Sequence, residues 1–167
     1  MKTVSLSFLC CAATIAVFSL SGCKPAEHHE HAHDHEGEHE HGHKAAHGGC
    51  LNALGTCENG HAEARLADGT LELWFVGGGS DTEKAVRISD VGFTLAVTPD
   101  KAAAPRPLEL AAVPGELSEE KVGDCSHFVG KAEWLKGVAA FTATGEVAFR
   151  SRKQAVRIEY PNGYDPD

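Results

Sequence analysis

Nine of the chain's eleven histidines fall between residues 27 and 47, in the stretch EHHEHAHDHEGEHEHGHKAAH. Neutral imidazole is the commonest protein ligand for zinc, nickel and copper(II), so His28, His29, His31, His33, His35, His39, His41, His43 and His47 form a dense store of metal ligands. Glu27, Glu30, Asp34, Glu36, Glu38 and Glu40 add oxygen donors and a negative potential that concentrates cations before any bond forms. Met1 is the only methionine, so the thioethers that favour copper(I) are missing. Zinc is therefore the first expectation, with nickel or copper(II) as alternatives. The spacing H-E-x-x-H occurs three times, from His29, His35 and His39. In zinc peptidases that spacing works because a helix sets both histidines on one face. Here Gly37 and Gly42 oppose a helix and no apolar stripe would pack one, so no catalytic residue is assigned and no enzyme is expected.

The segment ahead of the tract says where these ligands work. Residues 1–20 carry Lys2 and then an apolar run that includes Val4, Leu6, Phe8, Leu9, Ile15, Val17, Phe18 and Leu20, the anatomy of a secretory signal. It ends in Leu20-Ser21-Gly22-Cys23, which resembles the bacterial lipobox. That resemblance implies a signal peptide over 1–22, acylation of Cys23 and a mature chain held to the membrane by its lipid. Lys24 rather than Asp after the cysteine implies sorting to the periplasmic face of the outer membrane. Loss of the signal removes Lys2 and makes the net charge of −9 more negative still, which excludes nucleic acid as a partner. Residues 23–46 have almost no apolar side chains and no periodicity, so they are expected to be a disordered metal-binding arm. Such an arm spans roughly 25–30 Å. Protonating its imidazoles below about pH 6.5 would remove ligands and negative potential together.

Beyond the arm the periodicity is two, and residues 47–160 are expected to form an all-β domain, a single immunoglobulin-like sandwich, with 161–167 as a flexible tail. The clearest element is a hairpin around Asp68-Gly69: pairing Ala62 with Phe75, Ala64 with Leu73 and Leu66 with Leu71 gives one apolar face. Glu63 then meets Trp74, and Arg65 meets Glu72, on the other. Further strands are expected at 84–88, 92–98, 107–113, 127–130, 138–149 and 154–160, with single helical turns near 118–122 and 131–136.

Cys50 and Cys57 bracket residues 51–56, which read as a tight bend, and in an oxidising compartment such a pair is expected to form a disulfide. The alternative reading joins both thiols to His47 and His61 as a four-ligand zinc site. A second candidate metal set lies on the strands: His61 and Glu63 share one face, and Cys125 and His127 share the face opposite Phe128. Their ordinary alternatives are a hydrogen-bonded surface pair, and a free thiol beside a surface histidine.

His47-Gly48-Gly49, Leu54-Gly55, His61-Ala62-Glu63 and Ser126-His127-Phe128 resemble a family of small bacterial lipoproteins that join a His-rich leader to a β domain with an H-G-G…L-G…H-A-E pattern. A similar leader and H-G-G start is found in heavy-metal efflux adaptor proteins. The resemblance implies an envelope location, an association with metal, and a metal transporter or efflux protein as partner. Cys50, Cys57 and Cys125 depart from the pattern, so it assigns them no role. Three functions stay open: an envelope lipoprotein that binds, buffers or delivers divalent transition metal, a structural or interaction lipoprotein with a pH-sensitive tether, and an accessory subunit of a metal efflux system.

Overall fold

The alternation of apolar and polar residues after residue 49 is realised as eight strands in a computed structural model that describes residues 43–100, 102 and 104–166. The expected signal peptide over 1–22, Cys23 and the tract histidines from His28 to His41 lie outside the described residues. The strands are β1 (Cys50–Leu54), β2 (Thr56–Ala67), β3 (Thr70–Val76), β4 (Gly92–Pro99), β5 (Arg106–Ala112), β6 (His127–Lys131), β7 (Phe141–Phe149) and β8 (Arg152–Tyr160). All pair antiparallel in one sheet of order β1-β2-β3-β6-β5-β4-β7-β8. β4, β5 and β6 run as consecutive neighbours, and β6 returns beside β3, a Greek-key arrangement. The all-β class is as expected, with the strands in one continuous sheet folded about one core.

The expected hairpin has the expected register. Ala62 pairs with Phe75, Ala64 with Leu73 and Leu66 with Leu71, while Glu63 faces Trp74 and Arg65 faces Glu72. Asp68 (φ 44°) and Gly69 (φ 74°) both take the left-handed backbone that a two-residue turn of this hand requires. The inward face of β3 sends Leu71, Leu73 and Phe75 into the core, where Phe75 meets Phe128 at 5.7 Å and Phe149 at 6.2 Å between ring centroids. Full burial of each such side chain contributes roughly 1.5–3 kcal/mol.

Four local readings are corrected. Residues 51–56 are not a bend: Leu51–Leu54 belong to β1, and the reversal is compressed around Gly55 (φ 88°). Residues 84–88 make only isolated bridges, Ala85 to Val76 and Ile88 to Cys125, because the segment crosses from β3 to a distant β4 instead of lying along a neighbour. Of the two helical turns, 133–135 is a 3₁₀ turn and 118–122 is not helical. The last correction concerns the expected tail. Tyr164 pairs with β1 through Ala53 N to Tyr164 O (2.7 Å) and Tyr164 N to Leu51 O (3.2 Å). Asn52, fully buried, ties β8 to the same place by accepting the Glu159 N–H at 2.9 Å while its amide donates to Ala62 O at 3.1 Å. The two ends of the sheet are thereby joined.

Candidate functional site

β2 lies between β1 and β3, and Gly60 to Ala64 are buried on both faces because the segment entering β1 covers the outer side. Two of the predicted ligands, His61 and Glu63, sit on that covered side, and their surroundings differ.

Glu63 is 0 % exposed and accepts three hydrogen bonds: from His47 N at 2.7 Å, Gly49 N at 2.9 Å and His47 Nδ1 at 2.9 Å. The H-G-G stretch is built for this contact. Gly48 supplies a left-handed turn (φ 74°), and a Cβ on Gly49 would lie 2.4 Å from Ala64 O. His47 then stacks on Trp74 at 4.4 Å, and His127 stacks on the same indole at 4.6 Å, both nearly parallel. Arg65 packs over Trp74 at 5.1 Å and donates from Nε to Glu72 at 2.9 Å. Burial lowers the His127 pKa below the usual histidine value against the opposing pull of Glu72, whose carboxylate lies 3.5 Å from Nε2. A carboxylate occupied by three donors has little left for a cation, so Glu63 is a clamp that seats the start of the domain.

Neither pair in the second candidate set gathers as a metal site. Cys125 is fully buried in the core with Phe128, because β6 begins only at His127 and the alternation does not extend back to residue 125. Its Sγ lies 3.2 Å from the backbone oxygen of His127, and burial raises its pKa. The expected disulfide between Cys50 and Cys57 is not formed either. Cys50 faces Ala64 in the ladder, whereas Cys57 falls in the irregular stretch between the Ala53–His61 and Leu54–Thr56 pairs. With Cys50 against Asn52 and Glu159, and His47 against Glu63, the four-ligand site of His47, Cys50, Cys57 and His61 does not assemble.

His61 has a different environment. It is 3 % exposed, and its Nδ1 lies 3.2 Å from Gly77 O, so Nδ1–H donates and the lone pair sits on Nε2. Burial is the largest cause lowering its pKa, with His43 adding to it and Asp165 and Glu58 opposing. His43, the last histidine of the acidic tract proper, packs edge-on against it with ring centroids 5.0 Å apart. Lys44 holds the approach by accepting the Thr82 hydroxyl at its backbone oxygen, 3.2 Å away. Both rings line an open cleft of about 660 Å³ together with Cys50, Asn162, Tyr164 and Asp165. At this end of β2, Cys57 Sγ donates to Asp165 Oδ1 at 3.0 Å.

Among the described residues, no three His, Cys, Asp or Glu side chains lie within common reach of one metal ion. Asp165 lines the same cleft as His43 and His61 and also accepts from the Cys57 thiol, so it links the pairs His43–His61 and Cys57–Asp165, each with donor chemistry suited to a divalent transition metal. Of these, sequence reasoning singled out His43, Cys57 and His61, and missed Asp165. No local pattern marks Asp165, because closure of the sheet by the segment after β8 brings it there. No protein-family model, curated protein or solved structure matches the chain.

Proposed function

We propose that the chain is a non-enzymatic envelope lipoprotein that binds, buffers or delivers divalent transition metal, zinc first and nickel or copper(II) as alternatives, through its histidine-rich arm. The observation that carries this reading is the seat of His43 against His61 in a polar cleft. The arm's last ligand is thus held beside a buried, neutral imidazole with its own lone pair, which ties the ligand store to the folded domain. In this reading acylated Cys23 holds the chain to the outer membrane, and a metal transporter or efflux protein receives or supplies the ion.

Calorimetry with zinc on the chelator-stripped mature chain tests it. Several ions should bind with micromolar affinity, because interleaved His and Glu offer many alternative ligand sets and no single defined one. Deleting residues 27–41 should remove most of that capacity. An unchanged stoichiometry after the deletion overturns the arm as the principal binder. Acidification from pH 8 to 5 should release the ions, since each imidazole must lose its proton to bind metal.

A further inference from the structure

We infer that His43, Cys57, His61 and Asp165 close around one zinc-class ion, forming a single mixed thiolate, imidazole and carboxylate site at the end of the arm. This rests on the reading of the chain as a metal binder and adds a defined terminus to which the arm hands its cargo.

The donor set is one sulfur, two nitrogens and one oxygen, a complete tetrahedral complement for zinc. The spacings within each pair are near those such a site needs. Two imidazoles bound at ordinary zinc–nitrogen lengths with tetrahedral angles have ring centroids about 5 Å apart. His43 and His61 stand at 5.0 Å. A thiolate and a carboxylate on one tetrahedral ion have S and O about 3.5 Å apart. Cys57 Sγ and Asp165 Oδ1 are 3.0 Å apart, held by the hydrogen bond that the metal would replace.

His61 also has the supporting contact typical of a ligating histidine. Its second ring nitrogen donates to a backbone carbonyl, that of Gly77, which fixes both tautomer and ring direction. Burial keeps the imidazole neutral, the form that binds metal, and Asp165 is near enough for its charge to act on it. The remaining movement is the approach of one pair to the other. It falls on His43 and Asp165, which lie outside the regular strands on the segments entering and leaving the domain. The open cleft beside them gives the ion a path. Binding is a ligand exchange without redox change. The Cys57 S–H bond breaks, its proton passes to solvent, the sulfur donates a pair to the metal, and metal-bound waters leave. Cys50 also lines the cleft, but its sulfur is engaged by Glu159 O and the Asn52 amide, so Cys57, which already contacts Asp165, is the thiol assigned to the set.

Cobalt(II) titration of the full mature chain in detergent tests the site, because a thiolate ligand gives cobalt a near-ultraviolet charge-transfer band that histidine and carboxylate ligands do not. One equivalent should saturate that band. Cys57→Ser should abolish it, His61→Ala and Asp165→Asn should each weaken cobalt binding at the band at least tenfold, and Cys50→Ser should leave it unchanged, with circular dichroism confirming the fold of every variant. A band that survives Cys57→Ser, or that depends on Cys50 or Cys125, overturns the site. Replacing the seven histidines from His28 to His41 by alanine separates the two readings. Loss of most bound cobalt with the band retained supports both. Multiple ions bound by the unsubstituted chain without any thiolate band, and lost on replacing the seven histidines, overturn this site and leave the arm standing, whereas a retained band with undiminished total binding in the variant overturns the arm and leaves this site standing.

Discussion

Glu63 and His61 are two residues apart on the same covered side of β2, yet one is closed to ligands and the other is not. Glu63 spends its oxygens on two backbone N–H groups and an imidazole, all from the segment that enters β1. His61 uses one nitrogen on Gly77 O, and its ring lines a cleft. Burial is nearly the same, 0 % against 3 %. Availability for chemistry therefore follows from how many lone pairs the fold has already used, and not from residue type or depth. The H-G-G and H-A-E motifs, which suggested a metal association as a group, divide between these roles: His47, Gly49 and Glu63 build the domain's entrance, and His61 packs against His43.

The largest expected effect tests the closed side. Glu63→Ala leaves two partly buried N–H groups and an imidazole without their acceptor and should cost about 2–4 kcal/mol of folding stability, read from urea unfolding. A loss below about 1 kcal/mol would mean that water takes over the carboxylate's role and that the contrast between the two residues is false. Next in size is Gly49→Ala, whose new methyl meets a backbone oxygen and not a flexible side chain. It should cost about 1–3 kcal/mol in the same assay. An unchanged urea midpoint would show that the segment entering β1 can shift freely.

Proton linkage gives a smaller effect that involves both sides. Burial lowers the pKa of His61 and of His127, so the unfolded chain takes up protons at these positions first as pH falls. Stability should be at its plateau above the unfolded histidine value of about 6.5 and decline as pH drops from there toward the lowered folded values. Thermal melts between pH 8 and 5 check this, and His127→Gln should flatten the decline. A melting temperature that rises on acidification would contradict it. Cys57→Ser should have the smallest effect, within about 0.5 kcal/mol without metal, because the thiol donates near the surface and closes no core. A larger loss in chemical denaturation would place Cys57 on the structural side of the comparison.

The hairpin of β2 and β3 was legible to the residue because three local signals agree there: period-two alternation, an Asp-Gly turn, and apolar partners that match only in one register. β1 was not. Its five residues lie between Gly49 and Gly55, and flanking cysteines made the stretch look like a stapled bend. The alternation of Glu63 and His61 was read correctly, but their burial was not, since an outward-facing strand position is exposed unless another segment lies over it. That cover comes from His43 over His61, a residue read as part of the unstructured arm, and from His47 and Gly49 over Glu63, at the expected start of the domain. Cys125 and His127 show the complementary error: alternation was extended two residues beyond the strand that sustains it. The pairing of Cys57 with Asp165 joins distant parts of the chain and had no local trace.

The seam between Tyr164 and β1 also bears on how many copies of the chain coexist. A sheet with strands at both ends exposes rows of unpaired amide and carbonyl groups that can recruit the same strand from a neighbour. In the lipid-anchored state proposed above, copies would share a two-dimensional surface, where encounters are frequent and similarly oriented. By spending Ala53 N and Leu51 O on Tyr164, the last residues of the chain cap the β1 border that would otherwise template strand exchange. Removing them should leave a domain that folds at high dilution and polymerises when crowded.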